Sequence, residues 1–242
     1  MDGGDVQVPR GEIDDDKQGF AVSGGPRTCE GGPRPRLRGV SHQLAFVAAI
    51  PLGVALGVSA HGGTARGAAI AFAASVTAMF GVSSMFHRLS WTPAAARWIG
   101  RLDHTMIYAL IAGTYTPVGL LVIDPGWRVP ILTTVWGGAV LGAGAKLLWS
   151  GVPTWVAPVV CVALGWVAVL VFPQIVAGIG VFGALLLLAG GLAYTVGAIV
   201  YARRRPDPIP AMFGYHEVFH VLVVLAVACQ YATVAFFVLP HA

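Results

Sequence analysis

Long stretches without a charged side chain, separated by short charged clusters, set the pattern of the chain from Gly39 onward. Between Arg38 and Arg66 lie 27 consecutive residues free of Asp, Glu, Lys and Arg, between Arg66 and Arg88 lie 21, and between Asp103 and Asp124 lie 20. A helix needs about 20 apolar residues to cross the hydrocarbon of a bilayer, so each stretch predicts one span. The next stretch, Arg128 to Lys146, encloses 17 residues and suffices once its flanks are counted. From Leu147 to Ala202 the chain runs 56 residues without a charge, which predicts two helices, with Pro173 and Gln174 marking the turn between them. Residues 211 to 239, interrupted only by Glu217, predict the last helix. The expected fold is all-α: a seven-transmembrane helix bundle.

Residues 1 to 38 have a different character, with seven acids, six bases and abundant Gly and Pro. Such a stretch cannot bury enough apolar area to offset chain entropy. A disordered tail over residues 1–34 and a membrane domain over residues 35–242 are therefore expected. The tail also lacks the apolar run and small-residue cleavage site of a signal peptide.

Composition agrees with the pattern. The chain is 56% hydrophobic and only 11% charged, where a soluble protein carries about a quarter charged residues to wet its surface. A soluble enzyme, a secreted disulfide scaffold and a disordered protein are excluded on that ground. The net charge of +4 thus reads as a topology signal rather than a nucleic-acid footprint. Short loops rich in Lys and Arg stay cytoplasmic. With seven crossings and the N-terminus inside, thirteen bases fall on inner segments, and only Arg66 and Arg128 fall outside. The N-terminus is expected in the cytoplasm and the C-terminus outside. Cys29, Cys161 and Cys229 have no metal-like spacing and are expected to be free. Gly113, Gly137, Gly138, Gly142, Gly144, Gly190, Gly191 and Gly197 are read as helix-packing positions. No nucleotide-binding loop or dinucleotide fingerprint occurs.

The candidate chemistry lies in the ionisable residues of the spans, which are costly in lipid and so need a partner or a purpose. These are His42, His87, Asp103, His104, His216, Glu217 and His220. The charge-derived topology brings His87 at the end of helix 2, Asp103 at the start of helix 3, and His216 and His220 at the start of helix 7 to one level near the cytoplasmic face. His216 and His220, four residues apart, share one helix face and can bind one ion. His87 could supply a third nitrogen, and three imidazoles with an open position are the pattern of a catalytic zinc site. Asp103 is placed to act as general base or to anchor water, and Ser83, one turn before His87, lies on the same face. His104 points elsewhere on helix 3 and is read as structural, and His42 as an interface residue. Glu217 is expected to pair with Arg203, Arg204 or Arg205. Thr114, Tyr115 and Tyr194 are candidates to line a cavity.

The segments SSMFHRL, RLDHTMIYALIAGTYTP and HEVFHVLVV, with PRLRGVSHQLAF at the entry to helix 1, resemble the hemolysin III proteins. These are the bacterial branch of the progestin and adiponectin receptor (PAQR) family, and the resemblance covers about residues 34 to 239. It implies a seven-helix bundle in the bacterial inner membrane holding zinc on His87, His216 and His220, with Ser83 and Asp103 around it. A wider kinship with alkaline ceramidases suggests hydrolysis of a lipid amide or ester, with a membrane lipid as the partner. Phe219 stands where many members have Trp, and Gln230 where many have a further His.

Two rival readings follow. His216 to His220 also spells H-E-x-x-H, the metalloprotease motif with Glu217 as base. The family name suggests a membrane-lytic protein, and a receptor with structural zinc is a further non-enzymatic reading. Few charged residues line the spans, so nothing in the sequence supports a conducting pore.

Overall fold

Charges and helix-starting residues set the element boundaries. The computed structural model describes residues 35–149 and 155–241. The tail expected over residues 1–34, with Cys29, lies outside the described residues. Among the described residues the architecture is all-helical, without β-strands: α1 (Val40–Ser59), α2 (Gly63–Arg88), α3 (Pro93–Leu121), α4 (Pro125–Leu148), α5 (Val156–Trp166), α6 (Phe172–Arg203) and α7 (Tyr215–Thr233). A 3₁₀ segment, Val167–Val171, joins α5 to α6, and α7 runs on through Val234–Val238 and Leu239–His241. Five helical stretches are long and apolar enough to cross a membrane: Val40–Ser59, Gly63–Arg88, Pro125–Leu148, Val156–Arg203 and Tyr215–His241.

Local chemistry explains the starts. Thr92 caps α3, its Oγ1 accepting from the Ala95 backbone N–H at 3.3 Å, and Pro93 occupies the first turn, where a missing N–H costs nothing. At α4, Asp124 holds the N-cap position without a side-chain cap bond, and Pro125 again occupies the first turn. The Asp124 N–H donates to Gln174 Oε1 at 3.1 Å, which ties the α3–α4 turn to the first turn of α6. Gln174 therefore braces a helix instead of ending one.

The turn expected at Pro173 and Gln174 is displaced. Pro173 sits in the first turn of α6, and the backbone leaves the helical region at Gly180, with φ 72° and ψ 169°. Only glycine adopts that conformation without strain. The 48 residues Val156–Arg203 would form a rod of about 72 Å if unbroken, more than twice the hydrocarbon thickness, so a break is required somewhere within them.

Helices adjacent in sequence are adjacent in space: α2 packs on α1 and α3, α3 on α4, α6 on α7, and α7 closes against α1. Two apolar clusters result. One gathers Leu56, Phe72, Met79, Phe80, Leu110 and Val223 from α1, α2, α3 and α7. The other gathers Tyr115, Ile131, Val135, Ile175 and Ile179 from α3, α4 and α6. Several expected packing glycines hold the helices close. A Cβ at Gly113 would lie 2.0 Å from Ser75 Oγ, and one at Gly142 would lie 2.5 Å from the Tyr108 ring. Gly138, Gly190 and Gly197 also meet neighbouring helices, but Gly137, Gly144 and Gly191 face open space and pack against nothing.

Candidate metal centre

Three imidazoles converge where the last turn of α2 meets the first turns of α7. The ring nitrogens of His87, His216 and His220 all lie within 4.8 Å of one another, close enough to hold one metal ion. His87 Nε2 and His216 Nε2 are 3.3 Å apart. A tetrahedral ion with metal–nitrogen bonds of about 2.0–2.1 Å places two ligand nitrogens about 3.3–3.4 Å apart, so this pair already has the spacing of two vertices. His220 Nδ1 is buried without a hydrogen-bond partner among the described residues. Three imidazole nitrogens gathered from two helices are a donor set that suits a site completed by a cation.

The surrounding side chains position these rings. His87 is pressed from behind by Gly39, whose φ of 78° lets the chain enter α1 and whose missing side chain would lie 2.6 Å from the His87 Cβ. Asp103, on the third turn of α3, brings Oδ2 to 3.6 Å from His87 Nε2. Ser83 lies one turn before His87 and is buried, its Oγ hydrogen-bonded to His42 Nδ1 at 2.8 Å.

His42 corrects the sequence reading. It is no interface residue: it is 2% exposed and stacks on His220 with ring centroids 3.8 Å apart and planes 7° from parallel. The depth argument that gathers the other histidines places the first turn of α1 at the same level, and that was the available signal. His104, by contrast, serves a structural role. Its Nδ1–H donates to the Gly100 carbonyl at 2.6 Å, and Nε2 lies 3.4 Å from the Tyr201 hydroxyl.

Glu217 is also placed differently from expectation. It pairs with Arg38, the Nε–Oε1 distance being 2.5 Å, and not with Arg203, Arg204 or Arg205. Its other oxygen accepts from the Gly214 N–H at 2.8 Å and so closes the first turn of α7. Both carboxylate oxygens are thus engaged away from the three-histidine group. The Arg36 and Leu37 N–H groups donate to the carbonyls of Ala211 and Met212, both at 3.1 Å, fastening the segment before α1 to the α6–α7 connection. No charge pattern in the sequence could have paired Arg38 with a residue so far along the chain.

His216 and His220 open onto a cavity of about 260 Å³. One end carries His42, Ser83, Asp103, His216 and His220, and the remaining wall is mostly apolar, with Leu110, Val118, Ile175 and Val223 among its residues. Thr114, Tyr115 and Tyr194 line it, in agreement with the sequence reading. Tyr115 is structurally committed: its hydroxyl donates to the Gly165 carbonyl and accepts from the Ala168 N–H, both at 2.7 Å, bridging the step from α5 into the 3₁₀ segment. Cys161 and Cys229 are free thiols, as expected.

Comparison with known proteins is consistent across nearly the whole membrane part. Residues 32–231 match the family described as haemolysin-III related. Hemolysin-3 of Bacillus cereus is 29% identical over 208 residues, covering 84% of this chain and 91% of the relative. The Hemolysin-3 homolog of Bacillus subtilis strain 168 is 30% identical over 136 residues, covering 56% of this chain and 61% of the relative.

Proposed function

The chain belongs to the haemolysin-III related family, and from that premise we propose that it is a seven-span zinc-dependent membrane hydrolase acting on a lipid amide or ester. The observation that carries this reading is the convergence of three imidazole nitrogens, two of them on residues that line the polar end of a largely apolar cavity. A lipid chain fits such a wall, and its polar linkage would meet the histidines.

His87, His216 and His220 would hold the ion. Bound zinc supplies Lewis-acid polarisation of a carbonyl and acidification of water. The protein's own part is proton handling and charge stabilisation. Asp103 Oδ2, 3.6 Å from His87 Nε2, stands beside the ligand nitrogens and takes the proton of the attacking water. With the proton of His42 on Nδ1, Ser83 Oγ would accept from it and direct its own hydroxyl proton towards Asp103, orienting that carboxylate for the attacking water. The stacked His42 ring fixes the plane of His220 and with it the direction of one ligand nitrogen.

Seven crossings with the N-terminus in the cytoplasm of a bacterial inner membrane complete the reading. The segments on either side of Gly180 are each long enough to span, which supports counting Val156–Arg203 as two crossings. The engagement of both Glu217 oxygens argues against a protease base. The names of the Bacillus relatives raise a second reading, membrane lysis. The cavity wall carries too little charge for an ion path, so lysis by this chain would follow from altered lipid.

The test uses purified protein in lipid nanodiscs with a fluorogenic N-acyl amide and the matching acyl ester. Asp103→Asn should retain metal and lose about 10²-fold or more in turnover, while Glu217→Gln stays near wild type. Undiminished turnover in Asp103→Asn, or hydrolysis of neither probe by the wild type, would overturn the proposal.

A further inference from the structure

The far end of the cavity is not apolar. Gln230 lies ten residues beyond His220 on the same helix, about 15 Å along its axis, and both line the cavity together with Val223 between them. Gln230 is 4% exposed. Its amide nitrogen donates to the Leu187 carbonyl at 3.3 Å, and since a carbonyl can only accept, this bond fixes which end of the carboxamide is which. The other end, Oε1, is buried with no hydrogen-bond partner among the described residues. Gly190 presses the amide into place, a Cβ there lying 2.6 Å from Gln230 Nε2.

One turn along α6 from Gly190 stands Tyr194, which lines the same cavity and whose hydroxyl is also buried and has no hydrogen-bond partner among the described residues. Buried polar groups are nearly always paired, because leaving one unpaired forfeits its hydration without return. Both groups belong to residues that line one cavity, and a guest that reaches between those side chains can pair them. An orphan carbonyl oxygen can only accept, and the phenol can donate. A hydroxyl group satisfies both at once, donating to Gln230 Oε1 and accepting from Tyr194.

Building on the lipid reading above, we propose that Gln230 and Tyr194 form a second polar subsite that binds a hydroxyl carried far along the hydrocarbon chain of the bound lipid. The apolar wall between the two polar ends, with Leu110, Leu188 and Val223, accommodates the intervening methylenes. At about 15 Å from His220, the hydroxyl sits about a dozen carbons from the linkage that faces the histidines. A hydroxyl next to that linkage would not reach.

The experiment is equilibrium binding by full-length protein in nanodiscs, with three probes: stearic acid, its analogue hydroxylated about a dozen carbons from the carboxyl, and its α-hydroxy analogue. The wild type should bind the distally hydroxylated chain about tenfold more tightly than stearic acid, as two neutral hydrogen bonds permit, and gain nothing from the α-hydroxyl. Gln230→Leu should abolish the preference, bringing the ratio of the two affinities to about one. Tyr194→Phe, which removes a single oxygen, should reduce the preference and keeps the test valid if Gln230→Leu does not fold. Equal wild-type affinity for stearic acid and the distally hydroxylated chain, as when a water fills the subsite, would overturn this proposal alone. A preference that survives both substitutions would also overturn it. Failure of all three probes to bind would overturn it together with the lipid-cavity reading.

Discussion

His87 illustrates how single residues hold this site. Its ring meets Asp103 and His216 on one side, and its Cβ rests on the bare backbone of Gly39 on the other. Gly39→Ala would be strained twice, by its positive φ and by the 2.6 Å approach to His87. It should therefore lower the zinc content of purified protein although it touches no ligand atom, which elemental analysis can check. Arg38 and Glu217 make a related prediction about stability. Removing Arg38 leaves a carboxylate 2% exposed without its counter-charge, so Arg38→Met should cost about 3 kcal/mol or more. Glu217→Gln leaves Arg38 charged but 15% exposed and so partly hydrated, still accepts from Gly214, and should cost clearly less, as comparative denaturation in detergent would report. The sequence made His216 and His220 visible through their four-residue spacing, and His87 and Asp103 through depth. His42 shares that depth, yet its partners Ser83 and His220 belong to other helices, and a single residue on α1 gives no spacing to read.

At the scale of elements, charges marked where helices end because charged side chains must reach water, and four of the boundaries follow Arg38, Arg66, Arg88 and Lys146 closely. The break in the long apolar segment was not legible in the same way. Proline and glutamine resemble a turn on paper, but proline is welcome in a first helical turn, and the conformation that breaks the helix belongs to Gly180. Gly180→Ala, held at φ 72°, should destabilise the protein by about 1–2 kcal/mol. The packing glycines divide by what faces them, which only the crossing of helices decides. Gly113→Val drives a side chain into Ser75 and the Ala71 carbonyl and should cost about 1–3 kcal/mol. Gly144→Ala meets nothing and should gain up to about 1 kcal/mol from helix propensity. Thermal denaturation of the three variants side by side separates these signs.

For the whole molecule, the account joins two independent lines. Under the proposed seven crossings, the distribution of Arg and Lys predicts a cytoplasmic N-terminus and an outer C-terminus, and the same prediction puts the histidine-bearing ends of α2 and α7 at one membrane level. The structure brings one ring nitrogen from each of His87, His216 and His220 within 4.8 Å of the others. The central claim is that these nitrogens hold one zinc ion. Its most direct measurement is the metal content of wild-type protein purified without added metal, beside His87→Ala, His216→Ala and His220→Ala. About one zinc per chain in the wild type and near-complete loss in each variant is the expected result. Wild-type protein free of zinc, or variants that keep it in full, would contradict the account.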